Sequence, residues 1–370
     1  MRKQGLLKTL GITAIAVTLV LTQVAVPATA QAPSFLTGKV KAMEAAGTTL
    51  AARQDAARRE AGSAGYFTAW MFESRHKITS RGDGKIVQTY SVGSEGAKIK
   101  VRSRDESNSN NISTDDGKDV PSPSGLLFLH DAAGMVVDAT VLDPEQTYEF
   151  GPTTVYWLGR AGNEDSMARI EAAFAKASGE HLKSTLLFLA SCHSGERGYG
   201  FVKAVARGSE PVKVREQAVF WLGASQDARS LADLKAVYAG EKTVSIKKQI
   251  VFAIQLNKSR EASAELIALA KTEPDREIRK TAVFWLGQKA SEESVKALKD
   301  IVQAKGGEDT VKEQAVFAIS QMPKDKSVPM LIDIAKTNPS PEIRKKAIFW
   351  LGQSGDESAI KYFEEILLKK

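Results

Sequence analysis

The 370-residue chain has one cysteine and four histidines. The single thiol, Cys192, excludes an intramolecular disulfide, and it excludes a lipid-bearing cysteine at a processed N-terminus. The fold must therefore rest on burial alone. Cys192 follows the apolar stretch 186–190 and is expected to be a buried thiol. None of His76, His130, His181 and His193 is followed by Glu, and no zinc-ligand spacing is present. There is no Gly-rich phosphate loop and no Gly-x-Ser-x-Gly elbow. These absences leave no catalytic residue, metal ligand or cofactor to assign. Charge of one sign is also scarce: the formal net charge is +7. Removing residues 1–30 would take away Arg2, Lys3 and Lys8 and no acid, leaving +4. That is too mild to argue for nucleic acid as a partner.

What is present begins with a leader. Arg2, Lys3 and Lys8 precede an uncharged run over 10–26, then Pro27 and Ala28-Thr29-Ala30. This order reads as a secretory signal cut after Ala30 or Ala32, so the chain is expected to be exported, periplasmic or secreted. An uncleaved membrane anchor is the alternative. Thr13, Thr18, Thr22 and Gln23 make the run marginal for crossing ~30 Å of hydrocarbon, so no stable membrane insertion is expected after cleavage. Residues 31–65 read as a helical segment, with Leu36, Val40, Met43 and Leu50 at apolar spacing until Gly62 and Gly65. Residues 66–148 turn to period-two, β-rich runs at 66–74, 85–92, 97–103, 125–130 and 135–142. Among them lie the turn Arg81-Gly82-Asp83-Gly84 and a polar loop over 104–124.

From 149 to 370 one aromatic position recurs. Tyr156, Phe188, Phe220, Phe252, Phe284, Phe317 and Phe349 are separated by 32, 32, 32, 32, 33 and 32 residues. A fixed period of this size marks a repeat array, whose units hide their apolar faces by stacking. Around Phe220, Val214, Ala218, Trp221 and Leu222 fall within about 100° on a helical wheel. Gly223 suits a helix C-cap. Asp165, Asp227, Glu292 and Asp356 stand where second helices begin and complement their dipoles. Units alternate: Trp157, Trp221, Trp285 and Trp350 follow the aromatic in every other one, and the units between read Leu189, Ala253 and Ala318. The expectation is that each indole packs in the core against a small residue of the next unit. The charged end of the chain, Glu364-Glu365 and Lys369-Lys370, suits a solvated end cap.

These residues resemble HEAT-like repeats, specifically the short class of phycobilisome-lyase-like proteins. The matching pattern is Val214-Arg215…Ala218…Trp221-Leu222-Gly223, Ile278-Arg279…Ala282…Trp285-Leu286-Gly287 and Ile343-Arg344…Ala347…Trp350-Leu351-Gly352. Trp stands where that class usually has Ala. The resemblance implies a mainly α fold: a right-handed α-solenoid of about seven two-helix units with a 32-residue period, preceded by the small β-rich domain. It also implies three roles: a protein–protein scaffold, a bilin lyase, or a di-iron hydroxylase. The hydroxylase needs paired His-Glu motifs to hold two irons, which this chain lacks. The lyase is cytoplasmic, which the leader opposes. A non-catalytic scaffold that binds a protein or peptide remains.

Candidate partner-binding residues follow from the ladders. Phe188, Phe220, Phe252, Phe284, Phe317 and Phe349 lie off the centre of the core arc. They wedge between neighbouring helices, or they line the inner groove as anchors for a partner. Arg215, Arg279 and Arg344, with Lys183, Lys247 and Lys312, form a basic ladder at one equivalent position. It is either a stripe for an acidic partner or a set of pins that keep units in register, and its recurrence in every unit favours the pins. In the β-rich region Trp70, Arg75, His76, His130 and Asp131 offer a small polar site, an alternative in which a ligand or enzymatic site uses the repeats as a docking arm. A third reading is a structural envelope protein.

Overall fold

The computed structural model describes residues 31–75, 79–80, 86–92, 95–102, 112–113 and 121–368, with side chains described over 31–75 and 121–368. The leader, His76, the turn at 81–84 and most of the 104–124 loop lie outside the described residues.

Only half of the expected first helix is helical. Gly38 and Gly47 interrupt it, and two short strands form instead, β1 (Leu36–Thr37) and β2 (Val40–Ala42). A 3-10 turn over Glu44–Ala46 follows. Helix α1 (Leu50–Ala61) starts where the Thr49 hydroxyl accepts from the Ala52 amide. Then come β3 (Tyr66–Ser74), β4 (Thr79–Ser80), β5 (Ile86–Val92), β6 (Glu95–Arg102), β7 (Ile112–Ser113), β8 (Ser122–His130) and β9 (Val136–Leu142). The five expected strands coincide with β3, β5, β6, β8 and β9. Two more, β10 (Thr147–Phe150) and β11 (Val155–Arg160), carry the β-rich region past the expected boundary at 148.

Strand β11 corrects the repeat count. Tyr156 and Trp157 belong to it, paired in parallel with β2 on one side and β3 on the other. Val155-Tyr156-Trp157-Leu158-Gly159 reads like Val219-Phe220-Trp221-Leu222-Gly223, yet Gly151-Pro152-Thr153-Thr154 stands before it. A Pro and a Gly within the preceding turn, with two β-branched residues, disfavour helix and suit a strand.

The strands form a four-stranded sheet, ordered β1-β10-β6-β5, and a five-stranded sheet, ordered β2-β11-β3-β8-β9, while β4 and β7 pair with each other. Phe67, Ala69, Met71, Leu127 and Leu129 face the four-stranded sheet, where Tyr148, Phe150 and Leu36 complete an inter-sheet core. The opposite face presents Tyr66, Trp70, Phe72, Leu126 and Phe128 to helices, and these join one apolar core that runs on through the helical array to Tyr362. Strand β3 is thus buried on both faces, and the β-rich unit covers the first end of the array.

Thirteen helices follow: α2 (Asn163–Lys176), α3 (Glu180–Cys192), α4 (Glu196–Arg207), α5 (Val212–Ala224), α6 (Ser230–Gly240), α7 (Val244–Leu256), α8 (Arg260–Thr272), α9 (Arg276–Lys289), α10 (Glu292–Gln303), α11 (Asp309–Ser320), α12 (Lys324–Thr337), α13 (Pro341–Ser354) and α14 (Glu357–Leu368). They make six pairs and a closing helix. The six Phe anchors lie on the odd-numbered helices α3 to α13. These helices pack closely on one another, whereas successive even-numbered helices touch sparsely. The array therefore curves with the Phe-bearing layer inside.

Small residues produce that close approach. Gly223 does not cap α5 but lies within it, where an added Cβ would stand 2.7 Å from the Ala253 Cβ and 2.8 Å from the Ala253 carbonyl. Gly287 meets Ala318 in the same way, at 2.7 Å from its carbonyl. The closing helix exposes Glu364 and Glu365, as a solvated end would, and it also exposes Ile360, Ile366, Leu367 and Leu368.

Candidate functional site

The inner helices bring the aromatic positions into one continuous strip. Phe188 contacts Trp221 at 5.0 Å between ring centroids, and Trp221 contacts Phe220 at 4.8 Å. Phe220 stacks on Phe252 at 6.1 Å, with planes 11° apart. The order then repeats: Phe252 to Trp285 at 4.7 Å, Trp285 to Phe284 at 4.9 Å and Phe284 on Phe317 at 6.3 Å. Phe317 to Trp350 at 5.2 Å and Trp350 to Phe349 at 5.0 Å complete nine rings. Eight are half-buried and Phe349 is 55% exposed. The rings therefore wedge between neighbouring helices, and each keeps part of its surface accessible on the inner layer.

The Trp residues differ from the expectation. Trp221, Trp285 and Trp350 each pack against the Phe of the preceding unit, and they are half-buried against the core rather than within it. The 64-residue alternation has a physical reason. Where Gly meets Ala, helices approach closely and Phe stacks on Phe. At the other interfaces an indole fills the wider gap. Trp157 stands apart, buried between the two sheets.

The sequence reading missed a second ladder. Gln217, Gln249 and Gln314 each stand three residues before a Phe, on the same side of the helix. Gln217 is exposed and the other two are half-buried, and none has a hydrogen-bond partner among the described residues. Their fixed offset from the aromatic, repeated at the period of the array, was the available signal.

The basic ladder acts within the chain. Arg215 donates to the Ala206 carbonyl at 3.2 Å and pairs with the Glu241 carboxylate. Arg279 donates to the carbonyls of Glu273 at 2.6 Å and Pro274 at 2.8 Å, and to Glu308 at 2.5 Å. Arg344 holds the Asn338 carbonyl at 2.7 Å and that of Pro339 at 3.1 Å. Lys183 binds Glu210, Lys312 holds the Ala304 carbonyl at 2.9 Å, and Lys247 sits over the Tyr238 ring at 4.7 Å. Arg215, Arg279, Lys312 and Arg344 satisfy carbonyls at or just after the ends of preceding helices, and Lys183, Arg215 and Arg279 reach acids of the next loop, as register pins do. Arg215, Arg279 and Arg344 are not free for a partner.

The polar residues singled out in the β-rich unit do not converge. Trp70 is fully buried, its indole N–H donating to Ser166 Oγ at 2.9 Å. Arg75 donates to the Ser225 carbonyl at 3.0 Å, tying β3 to α5. Asp131 Oδ1 accepts from the Ala133 and Met135 amides and holds a turn. His130 stacks on Tyr66 at 4.5 Å, and burial lowers its pKa to about 4. A different pair does come together: Ser166 Oγ lies 2.7 Å from His193 Nε2, and His193 Nδ1 donates to the Leu189 carbonyl at 2.7 Å. That is the spacing of a nucleophile and its base, but Ser166 is 0% and His193 1% exposed. Phe72 stacks on the imidazole at 4.1 Å. Burial lowers the His193 pKa to about 4 and pushes the Cys192 thiol up to about 12. The chain Trp70–Ser166–His193 fastens the sheet to α2 and α3 with no access for a substrate.

Among the described residues no group of His, Cys, Asp and Glu could hold a metal, and no helix is long and apolar enough to cross a membrane. Two family models match parts of the array: HEAT repeats over residues 303–370 and the PBS lyase HEAT-like repeat over residues 214–240. The array is made of HEAT-like repeats. No curated protein matches the chain. Human deoxyhypusine hydroxylase in complex with glycerol is 18% identical, covering 55% of this chain and 79% of that one with a TM-score of 0.25. An Escherichia coli protein from a structural genomics consortium is 16% identical, covering 55% and 76%, with a TM-score of 0.33. Lipovitellin is 14% identical, covering 78% and 40%, with a TM-score of 0.39. Likenesses at these scores carry no argument about activity.

Proposed function

We propose that this HEAT-like repeat protein is an exported, non-catalytic scaffold that holds an extended segment of another protein along its inner aromatic strip. The observation that carries the reading is the strip itself: nine contiguous rings, half-exposed on the closely packed layer, beside unpartnered amides at Gln217, Gln249 and Gln314. Rings give apolar anchorage at low side-chain entropy cost. Free amides can pair with the peptide groups of an extended chain, which has no partners of its own.

The spacing sets a register. Packed helices lie ~8–10 Å apart, and an extended chain in the polyproline II form rises ~3.1 Å per residue and returns to the same face every third residue. One helix-to-helix interval then spans about three residues, and the five intervals between six inner helices span about 14. The preferred segment carries an apolar side chain every third residue. Export rests on the basic, apolar and small-residue order of residues 1–30. Sequencing a mature chain that starts at Gln31 or Pro33 would support it.

The test is selection of peptides from a random library on the immobilised protein, read back through the emission of Trp221, Trp285 and Trp350. Enriched peptides should show the three-residue apolar period and quench that emission. Binding should fall at least tenfold in a Phe220→Ala, Phe252→Ala, Phe284→Ala variant whose circular dichroism is unchanged. Enrichment without the period, or full binding by the variant, would end the proposal. Unfolding of the triple variant would leave the comparison to Gln217→Ala and Gln249→Ala, where packing is not at stake.

A further inference from the structure

We propose that a cleft between α1, the β8–β9 hairpin and α2 binds a small organic carboxylate. This site is separate from the aromatic strip and does not depend on it. The cleft has a volume of about 130 Å³, the space of roughly four waters at ~30 Å³ each. Three cations line it, Arg58, Arg169 and Lys176, against one acid, Asp55. Arg169 and Lys176 lie seven residues apart on one face of α2, and neither has an ion-pair or hydrogen-bond partner among the described residues. That is unusual here, where most guanidinium groups of the array are spent on carbonyls and carboxylates.

The third cation is held in place. Arg58 Nη2 donates to the Ala133 carbonyl at 2.7 Å, and its side chain lies across Gly134. Gly134 has φ +77, and a Cβ there would stand 2.6 Å from Arg58 Nε. Only glycine suits both the turn and that overlay. The wall is made by Tyr66, stacked on His130 with planes 5° apart. Both ring nitrogens of His130 are engaged, with Thr68 Oγ1 at 2.9 Å and the Gly134 carbonyl at 3.3 Å. The imidazole is therefore a fixed part of the wall. The Tyr66 hydroxyl has no partner among the described residues. Met135 and Val136 supply an apolar rim.

This set fits a carboxylate on a compact apolar body. The planar fork of Arg169 can take both carboxylate oxygens, Lys176 adds a second charge, and the Tyr66 hydroxyl can donate a third hydrogen bond. The rim receives the apolar part. A spherical, strongly hydrated anion would use the charges but not the rim.

The experiment is calorimetry on the mature chain with benzoate, benzyl alcohol and inorganic phosphate at matched ionic strength. Saturable benzoate binding at least tenfold tighter than that of benzyl alcohol is expected, with phosphate weaker than benzoate. Arg169→Gln and Lys176→Gln should each lose about tenfold, with unchanged circular dichroism and Tm. The Phe220→Ala variant should bind benzoate as the wild type does. Benzoate no better than benzyl alcohol, phosphate tighter than benzoate, or unchanged affinity in an Arg169→Gln, Lys176→Gln double variant would each overturn the assignment. An Arg169→Lys variant keeps the charge but not the fork and should sit between wild type and Gln.

Discussion

The two ends of the array solve the same problem differently. At the first end a five-stranded sheet covers α2 and α3, and the contact is a mixture of aromatics and a sealed polar chain, Trp70–Ser166–His193. At the last end no sheet covers α13 and α14 among the described residues. Phe349 is 55%, Ile360 54% and Leu367 80% exposed. A repeat unit buries its faces only by having neighbours, so an end must be covered by something else or remain partly apolar. The covered end gains burial and specific hydrogen bonds, and with them a liability to acid. The open end lacks both.

Acid gives the largest expected difference. Burial holds His130 and His193 near pKa 4, against about 6.5 for an unfolded histidine. The unfolded chain then takes up these protons first. Their contribution is complete above pH 6.5 and falls away as pH drops toward 4. The cost is about 3 kcal/mol for each histidine over that window. In the array, Asp227 is held down to about 2 by its bonds to Arg229, so its contribution is lost only between its ordinary value and that point. Hydrogen exchange at pH 4.5 against pH 7.5 should show β3, β8, α2 and the end of α3 opening before α9 to α13. Uniform opening would remove the distinction between the two ends.

A glycine pair sharpens the contrast between interior and end. Gly287→Ala places a methyl against Ala318 and should destabilise by about 1–2 kcal/mol, overpacking outweighing helix propensity. Gly352 occupies the equivalent position of the last unit, where nothing lies within 4 Å of an added Cβ. Gly352→Ala should stabilise by about 0.5–1 kcal/mol. Chemical denaturation of both variants reads the sign directly. The same sign for both would mean that close Gly–Ala contact does not set the inner spacing.

The array was legible because its signal is redundant: six Phe positions, their Arg or Lys partners and the alternating Trp all repeat, and any one would have set the period. The same redundancy misled at Tyr156 and Trp157, where the aromatic spacing continued into a strand. Pro152 and Gly151 carried the contrary information, but a local break weighs little against a long period. Strand β3 was recognised from its β-rich composition, yet the burial of both its faces was not, since only the tertiary partners decide it. The role of Gly223 was misread for a similar reason. A helical glycine near a helix end suggests a cap, and only Ala253 opposite shows that it is a contact. The cleft residues Arg58, Arg169 and Gly134 come from three elements far apart in sequence, with no shared period to join them. The nine-ring strip was only half visible, because the sequence placed the Phe residues but put the indoles in the core.

The smallest expected effect concerns the outer layer, where successive helices stand apart and long side chains bridge them. Lys203 reaches Asp233 at 2.6 Å, Lys235 reaches Glu265 at 2.6 Å and Lys299 reaches Asp333 at 2.9 Å. Such pairs gain little in water, since holding two long side chains costs entropy and salt screens the attraction. Lys235→Ala should cost no more than about 0.5 kcal/mol, and less at high salt. Near the open end Lys336 reaches Glu365 at 3.7 Å, with both groups more than half exposed. Lys336→Ala should therefore cost less still by charge alone. Its ammonium, however, also lies 5.1 Å from the Tyr362 ring centroid, over one of the few buried side chains of α14. If the ring contact dominates, the loss at Lys336 will persist in 1 M salt while the loss at Lys235 vanishes. Equal salt sensitivity at both positions would place the two bridges in one class and leave α14 held by its apolar contacts alone.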